Sequence, residues 1–165
     1  MAVNPSIILG AGNWNDGSTK IFKTAYDEFP WYSEGVTGFV DVNDVANAII
    51  RLMESNISGE KFILNAANKP YKEVFTLIAN AFSKKPPHKK VSRLMAGIVW
   101  RADAIKSMFT GSQPLLTKET AEAAQSIILY DNSKLKKHLP SFNYTPFEDS
   151  IYRICSELKE KNRLG

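Results

Sequence analysis

Short apolar runs separated by polar, glycine-bearing connections dominate the first part of the chain. Residues 3–10 (VNPSIILG) show no polar alternation after Ser6, which is typical of a strand buried on both faces. Pro5 removes one amide from that strand, as is usual where a strand begins or where a ligand approaches the backbone. Residues 61–66 (KFILNA) form a second run of the same kind. The pattern therefore predicts two buried strands.

A helix is predicted between these two strands. Residues 38–42 (GFVDV) lead into apolar positions at helical spacing, and Asn43 or Asp41 supplies a good N-cap. A strand, a connection that contains a helix and a second strand make a βαβ unit, whose two strands pair in parallel. We therefore expect residues 3–10 to pair with residues 61–66.

The remaining segments are connections and helices. Residues 11–38 are rich in Gly, Asn, Asp and aromatic side chains, with one helical stretch near residues 18–29, and long connections of this kind are usually functional. After Pro70 the spacing predicts helices, with a rigid turn at residues 84–90. The predicted helices cover residues 71–82, 91–109, 117–128, 131–139 and 147–161.

The composition is that of a globular chain. The 165 residues are 44% hydrophobic and 23% charged, which suits a single domain over residues 1–165 and excludes a disordered or collagen-like chain. The one cysteine allows no internal disulfide. No apolar run reaches the roughly 20 residues that a membrane helix needs, and no signal-peptide pattern is visible. We therefore expect a cytoplasmic protein that does not bind a membrane.

Charge is distributed unevenly along the chain. Residues 1–60 contain 3 basic and 8 acidic residues, whereas residues 61–165 contain 18 and 9, so an anionic partner would prefer the second part. Its densest cluster, the basic patch, is interpreted as a solvated turn rather than an anion site. The basic patch consists of Lys84, Lys85, Lys89, Lys90 and Arg93. No aromatic residue is interleaved with these residues in sequence, so nucleic acid is not expected as a partner.

Several segments carry a resemblance to a known family. Residues 4–10 (NPSIILG), followed by residues 38–46 (GFVDVNDVA), resemble the C-terminal half of extended short-chain dehydrogenase/reductases, the NAD-dependent epimerase/dehydratase and dihydroflavonol-reductase-like enzymes. Residues 59–64 (GEKFIL), 116–119 (LTKE) and 130–134 (YDNSK) continue this resemblance in the family's order. The resemblance covers nearly the whole chain.

This resemblance implies an α/β fold class: an incomplete Rossmann-type fragment with two late parallel strands plus a mainly helical substrate-binding lobe. The family's N-terminal dinucleotide-binding half and its catalytic Tyr-x-x-x-Lys have no counterpart in the sequence. Tyr130 and Lys134 have that spacing, but they match a late family element instead. We therefore expect a C-terminal fragment or a paralogue that is inactive alone, with Met1 and Ala2 as an artificial start.

The resemblance also implies a cofactor and candidate binding residues. Pro5 and Ser6 match positions that lie against the nicotinamide end of NAD or NADP in the family. Asn4 matches a position that contacts the substrate in the sugar-nucleotide members. Taken alone, proline at this place marks the beginning of a strand, and asparagine before proline is a turn signal.

The turn after the first strand supplies the other substrate candidates. Asn13, Trp14 and Asn15 would lie at the carboxyl edge of the sheet, where open α/β folds bind ligands. Packing of Trp14 into the lobe is the alternative interpretation. Residues 10–12 (GAG) are interpreted as a tight turn rather than a phosphate-binding loop.

Other residues with reactive side chains have simpler explanations. Asp41 and Asp44 are interpreted as helix-capping residues rather than an acid/base pair. Cys155 is interpreted as a buried apolar residue. His88 and His138 lack the neighbours of a metal site, so no metal is expected.

Three functions remain open. The resemblance implies the substrate-binding portion of an NAD(P)-dependent epimerase, dehydratase or reductase acting on a sugar nucleotide or a similar carbonyl or alcohol substrate. The alternative is a non-catalytic ligand- or partner-binding module from that family. A weaker third reading is an anion- or nucleic-acid-binding helical module. Because residues 3–10 would leave an unpaired apolar edge, we also expect self-association there or coverage by the N-terminal segment.

Overall fold

The computed structural model of the protein describes residues 1–91 and 124–164, in which strands and helices alternate. The strands are β1 (Ala2–Pro5), β2 (Ile7–Leu9), β3 (Trp31–Tyr32), β4 (Val36–Asp41), β5 (Lys61–Leu64), β6 (Ala67–Pro70) and β7 (Lys89–Lys90). The helices are α1 (Lys20–Tyr26), α2 (Val42–Met53), α3 (Tyr71–Ala81), α4 (Ser133–His138) and α5 (Phe147–Asn162), and a 3-10 turn at Gly17–Thr19 precedes α1.

Three small sheets organise these strands. β1 pairs with β5 in parallel, with Val3 opposite Phe62. β4 is the centre of the second sheet, in which β2 lies parallel to it and β6 antiparallel. β3 and β7 form a short parallel pair. The parallel pairing of β1 with β5 confirms the predicted βαβ unit, and the α/β fold class is confirmed with it.

The strand predicted at residues 3–10 differs from the observed one in two ways. It is broken at Ser6, so that β1 belongs to the first sheet and β2 to the second. The prediction that it is buried on both faces is wrong for β1, where Ala2, Asn4 and Pro5 are exposed. In the partner strand β5 buried and exposed residues alternate. The apolar run therefore covers a core on one face only.

Two apolar cores lie on opposite faces of β4. Successive side chains of a strand point to opposite faces, and Phe39 packs in one core while Val40 packs in the other. The Phe39 core includes Ile78 of α3 and Ile151 of α5. The Val40 core joins α2, β5 and α4. β4 is thus the layer between the two halves of the interior.

Most predicted helices are confirmed, with small changes at their ends. α1, α2, α3, α4 and α5 lie within or overlap the predicted stretches. Asp41 is the N-cap of α2, because its side chain accepts a hydrogen bond from the Asn43 amide at 2.8 Å. The predicted helix at residues 91–109 lies outside the described residues, apart from Val91. Residues 117–123 of the predicted helix at 117–128 also lie outside them.

The sequence patterns do not anticipate the conformation of residues 124–128, nor the strands β3, β4, β6 and β7. The end of the helix predicted at residues 117–128 is wrong, because residues 124–128 form a turn and Ile127 makes a bridge to Val36. β3 and β6 are two and four residues long, too short to show a period of two. The described residues therefore contain a three-stranded mixed sheet, β2-β4-β6, in addition to the helices.

No helix in the two described stretches has the length and apolar character needed to cross a membrane.

Truncation of Phe39 tests the two-core arrangement. Phe39 is fully buried and its ring lies 5.9 Å from that of Phe147. Because a large cavity would remain, Phe39→Ala should lower the free energy of unfolding by about 3–5 kcal/mol. The control Met53→Ala, at a side chain that is 73% exposed, should change it by less than about 0.5 kcal/mol. Urea unfolding of both variants measures this, and equal effects would contradict the arrangement.

Candidate functional site

The first and second sheets meet at two residues, Ser6 and Asn65. Ser6 lies between β1 and β2, and Asn65 follows β5 just before β6. The segments β1–β2 and β5–β6 therefore both pass from the first sheet into the second at the same level. The Ser6 Oγ lies 3.0 Å from the Asn65 Oδ1 and 3.2 Å from the Leu64 carbonyl oxygen. Both residues are buried, so this polar contact is shielded from water.

A glycine and a tyrosine complete this contact. A Cβ on Gly38 would lie 2.3 Å from the Asn65 Oδ1, 2.6 Å from the Tyr130 ring and 2.9 Å from the Ser6 Cβ. Only glycine therefore allows β4 to approach so closely. We call Ser6, Gly38, Asn65 and Tyr130 the sheet junction.

Three of the residues expected to line the cofactor and the substrate lie in this junction or directly before it: Asn4, Pro5 and Ser6. Asn4 and Pro5 are exposed at the end of β1, whereas Ser6 is buried. The Ser6 amide donates to the Leu64 carbonyl at 2.9 Å, and its hydroxyl contacts the junction. The surface that Pro5 and Ser6 offer to a ligand is therefore the proline ring and the main chain, with Asn4 as the adjacent polar side chain.

The turn after β2 contains the other three candidates, which have different environments. Asn13 and Asn15 are exposed, and the Asn13 Oδ1 accepts a hydrogen bond from the Asn15 amide at 3.1 Å. Trp14 packs edge-on against Tyr26 and Phe82, with ring centroids 5.7 Å and 6.2 Å away. Trp14 thus makes the contacts expected from the alternative interpretation, in which it packs into the protein. The flanking Asn13 and Asn15 remain at the surface.

An open cleft of about 460 Å³ lies beside this turn, at the carboxyl ends of β2 and β4. Its walls are residues 10–12, the 3-10 turn, the start of α2, and Arg153 and Glu157 of α5. The Lys161 Nζ donates to the Ala11 and Gly12 carbonyls at 3.2 Å and 3.0 Å. A Cβ on Gly12 would lie 2.9 Å from the Thr19 Oγ1. This supports the interpretation of residues 10–12 as a tight packed turn.

The charges along the cleft are paired with one another. The Asp41 carboxylate, with a side chain only 1% exposed, lies 2.6 Å from the Arg153 guanidinium, which also contacts Glu157. Burial opposes the charge of Arg153, but hydrogen bonds to both carboxylates outweigh this effect and raise its pKa. Asp41 therefore caps α2 and anchors α5. The capping interpretation of Asp41 is confirmed.

Asp44 has a different structural role. Its carboxylate accepts hydrogen bonds from the Thr145 amide and hydroxyl, both at 2.9 Å. It thus attaches the segment before α5 to α2, rather than capping its own helix. Neither aspartate faces the other as an acid/base pair would, because each is held by a separate partner.

The histidines and the basic patch are surface features. His88 and His138 are exposed, and the described residues contain no group of side chains arranged to hold a metal. In the basic patch, the Lys84 Nζ lies 4.6 Å from the centre of the Tyr26 ring and the Lys90 Nζ 2.5 Å from a Glu34 oxygen. The Lys89 Nζ lies 5.4 Å from the Trp31 ring centre. Arg93 lies outside the described residues. Aromatic and acidic neighbours therefore partner these lysines.

Tyr130 and Lys134 have separate surroundings. The Tyr130 ring packs at Gly38 in the sheet junction. The Lys134 Nζ lies 2.6 Å from the Glu60 carboxylate, and this pairing lowers the pKa of Glu60. Asp131, whose pKa is lowered by the hydrogen bond from the Ser133 amide, helps to begin α4. These contacts agree with the interpretation of residues 130–134 as a late structural element.

Solved structures resemble this chain, although no family model and no curated protein matches it. The protein gox2253 is 25% identical with a TM-score of 0.75, over 99% of this chain and 50% of its own. A nucleoside-diphosphate-sugar epimerase from Pseudomonas aeruginosa is 18% identical with a TM-score of 0.70, over 97% and 47%. A UDP-glucose 4-epimerase from Thermotoga maritima, solved with UDP-glucose, is 13% identical with a TM-score of 0.65, over 97% and 46%.

The chain has the Rossmann-like epimerase/dehydratase fold. It spans about half the length of the solved structures that it matches. The resemblance to NAD-dependent epimerases and dehydratases is thereby confirmed at the level of the fold. In this epimerase/dehydratase fold, the residues expected at the site lie on β1, directly after it at Ser6, and on the turn after β2.

Sequence reasoning missed two of the residues that build the junction. In the sequence patterns Asn65 is only a member of an apolar run, and Gly38 is only the first residue of the segment that leads into the predicted helix. The signal for Asn65 was a lone amide that ends a buried strand, since such a side chain needs partners. Two of its partners, Tyr130 and Asn132, are distant along the chain, so the sequence could not identify them.

Cys155 provides a test of the packing behind the cleft. It is 1% exposed, and burial raises the pKa of its thiol from the ordinary 9.0 to about 12. The native thiol should therefore not react with Ellman's reagent in mildly alkaline buffer, and it should react after unfolding. Above pH 9 the unfolded state loses this proton first, so stability should fall as the pH rises toward 12. Rapid labelling of the native protein would contradict this packing.

Proposed function

We propose that this chain is the substrate-binding C-terminal portion of an NAD(P)-dependent epimerase, dehydratase or reductase that acts on a nucleotide sugar or a similar carbonyl or alcohol substrate. The observation that carries this proposal is the fold match, which extends over nearly all of this chain and about half of each neighbour. Among the solved structures that resemble this chain, one contains UDP-glucose, another contains UDP-glucuronic acid and NAD, and a third contains NADPH. We further propose that the enzyme is cytoplasmic.

The substrate would contact exposed amide side chains. Asn4, Asn13 and Asn15 are exposed and can both donate and accept hydrogen bonds, as sugar hydroxyls require. The cleft beside the turn lies at the carboxyl ends of parallel strands, the usual ligand edge of open α/β sheets. Trp14 fixes the turn by packing. These features support a polar small molecule as the ligand.

The exposed end of β1 fits the nicotinamide end of the cofactor, and residues 10–12 do not fit its pyrophosphate. Pro5 offers an apolar ring and no amide hydrogen at the end of β1, which suits a flat nicotinamide ring. The glycines of residues 10–12 are explained by packing against Val42 and Thr19 rather than by a pyrophosphate. When bound in the full enzyme, the cofactor supplies hydride transfer. We propose that this chain alone is inactive and contributes the wall beside the nicotinamide.

Ligand titration tests this proposal. UDP-glucose should bind the chain saturably, whereas NADH and NADPH should not bind it at micromolar concentrations. Asn4→Ala should weaken UDP-glucose binding about 10-fold, close to the loss of one good hydrogen bond. The matched control Asn47→Ala, at an exposed asparagine of α2, should leave the affinity unchanged. Calorimetry or ligand-observed NMR measures these affinities.

Two outcomes would contradict the assignment. Micromolar binding of NADH would oppose the proposed division of the cofactor site. Absence of nucleotide-sugar binding, together with capture of another ligand that Asn4→Ala does not affect, would favour the alternative of a non-catalytic binding module.

We also propose self-association along β1. Within the described residues β1 pairs with β5 alone. The amides of Ala2 and Ser6 point toward β5, so those of the alternate residues point to the open edge. Pro5 has no amide, which leaves Val3 as the donor. Such open edges favour pairing with another strand.

Sedimentation velocity tests this pairing. The chain should form dimers at high concentration, and Val3→Pro should shift the equilibrium to monomer, because it removes the remaining edge donor. Val3→Thr keeps the amide and should remain dimeric. A monomer at all concentrations, with β1 exposed, would contradict this proposal.

A further inference from the structure

Asn65 is the most heavily hydrogen-bonded side chain of the sheet junction. It is 2% exposed, and its Oδ1 lies 3.0 Å from the Ser6 hydroxyl. Its Nδ2 donates to the Asn68 Oδ1 at 3.2 Å and to the Tyr130 carbonyl at 3.4 Å. All hydrogen-bonding groups of the amide are therefore used.

The main chain of Asn65 is held as well. Its amide donates to the Tyr144 hydroxyl at 3.3 Å, and its carbonyl accepts from the Asn132 side chain. Asn132 lies at the N-terminus of α4. One residue thus connects β5 to the segments before α4 and α5.

The orientation of the Asn65 amide is determined by its partners. A main-chain carbonyl can only accept, so the nitrogen must face Tyr130, and the oxygen must face the Ser6 hydroxyl, which can donate. The absence of a Cβ at Gly38 leaves the space that the Asn65 oxygen occupies, because a Cβ there would lie 2.3 Å from the Asn65 Oδ1. Aspartate would place an oxygen against the Tyr130 carbonyl, so it does not replace asparagine here.

These contacts determine where the exposed residues of β1 lie. Ser6 is bound on both sides, by its amide to Leu64 and by its hydroxyl to the junction. Asn4 and Pro5 directly precede Ser6. They are the exposed residues that we propose to contact the substrate and the nicotinamide ring. The buried side chain of Asn65 therefore holds Asn4 and Pro5 in position through Ser6, without itself reaching the surface.

We propose that Asn65 is a positioning residue, which holds residues 4–6 in the geometry that binds the substrate and the nicotinamide end of the cofactor. This proposal rests on the proposed function. Asn65 does not touch the ligand. It acts through Ser6. Its loss would move residues 4–6 without removing any group that contacts the ligand.

The test compares two buried anchors. Asn65→Asp disturbs the junction, and Asp44→Asn disturbs the similarly buried contact to Thr145, which includes no hydrogen bond to Ser6 or Asn65. Three quantities are measured in the full chain: the thermal midpoint, the Kd for UDP-glucose, and amide hydrogen exchange at Asn4 and Ser6. Both variants should lower the midpoint. Only Asn65→Asp should raise the Kd, by about 10-fold, and accelerate exchange at Asn4 and Ser6 by a similar factor.

Several outcomes would overturn the proposal. Equal effects of the two variants on the Kd would show that Asn65 contributes stability alone, and unchanged exchange at Asn4 and Ser6 would show that it does not hold the wall. If Asn65→Asp does not fold, Ser6→Ala replaces it, with the same expected results and the same contradictions. If the unaltered chain does not bind UDP-glucose, the proposed function fails, and the exchange data still decide whether Asn65 holds residues 4–6.

Discussion

A buried hydrogen bond between Ser6 and Asn65 is the constraint on which the rest of this structure depends. Both strands of the β1–β5 pair leave the first sheet at this level, and one continues as β2 and the other as β6. A buried polar group without a partner costs about 1–3 kcal/mol, so the two crossings are stable only together. The glycine of β4 at position 38 makes the approach possible. We propose that this junction also determines where Asn4 and Pro5 lie.

Because β4 divides the interior, helices of both cores border the open cleft. Phe39 and Val40 point into different cores, and each core is closed by helices on its own side. The Asp41 contact to Arg153 then fixes α5 across the start of α2. The carboxyl ends of β2 and β4 remain open between these helices, and the cleft lies there. Phe62 and Leu64 of β5 are buried in the core that contains Val40, whereas Ile63 of the same strand is 36% exposed. This exposed side is consistent with our proposal that the chain is one portion of a larger enzyme.

The sequence predicted the regular elements better than the contacts that join them. Apolar periodicity was sufficient for α2, α3 and α5, and the βαβ logic was sufficient for the parallel pair, because these depend on residues that are close in sequence. The break at Ser6 was not predictable from its neighbours, since it depends on a partner 59 positions away. For the same reason Trp14 could be assigned equally to packing or to substrate, and its contacts with Tyr26 and Phe82 appear only in the fold. The roles of Asn4 and Pro5 stay predictions that rest on a resemblance.

The most direct measurement is a double-mutant cycle on the junction, in which the free energy of unfolding is determined for the unaltered chain, Ser6→Ala, Asn65→Ala and the double variant. If the hydrogen bond joins the two sheets, the effects are not additive, and the coupling energy is about 1 kcal/mol or more. Additive effects, with a coupling energy near zero, would show that the two strands change sheets independently and would contradict this account of the fold and of the site built on it.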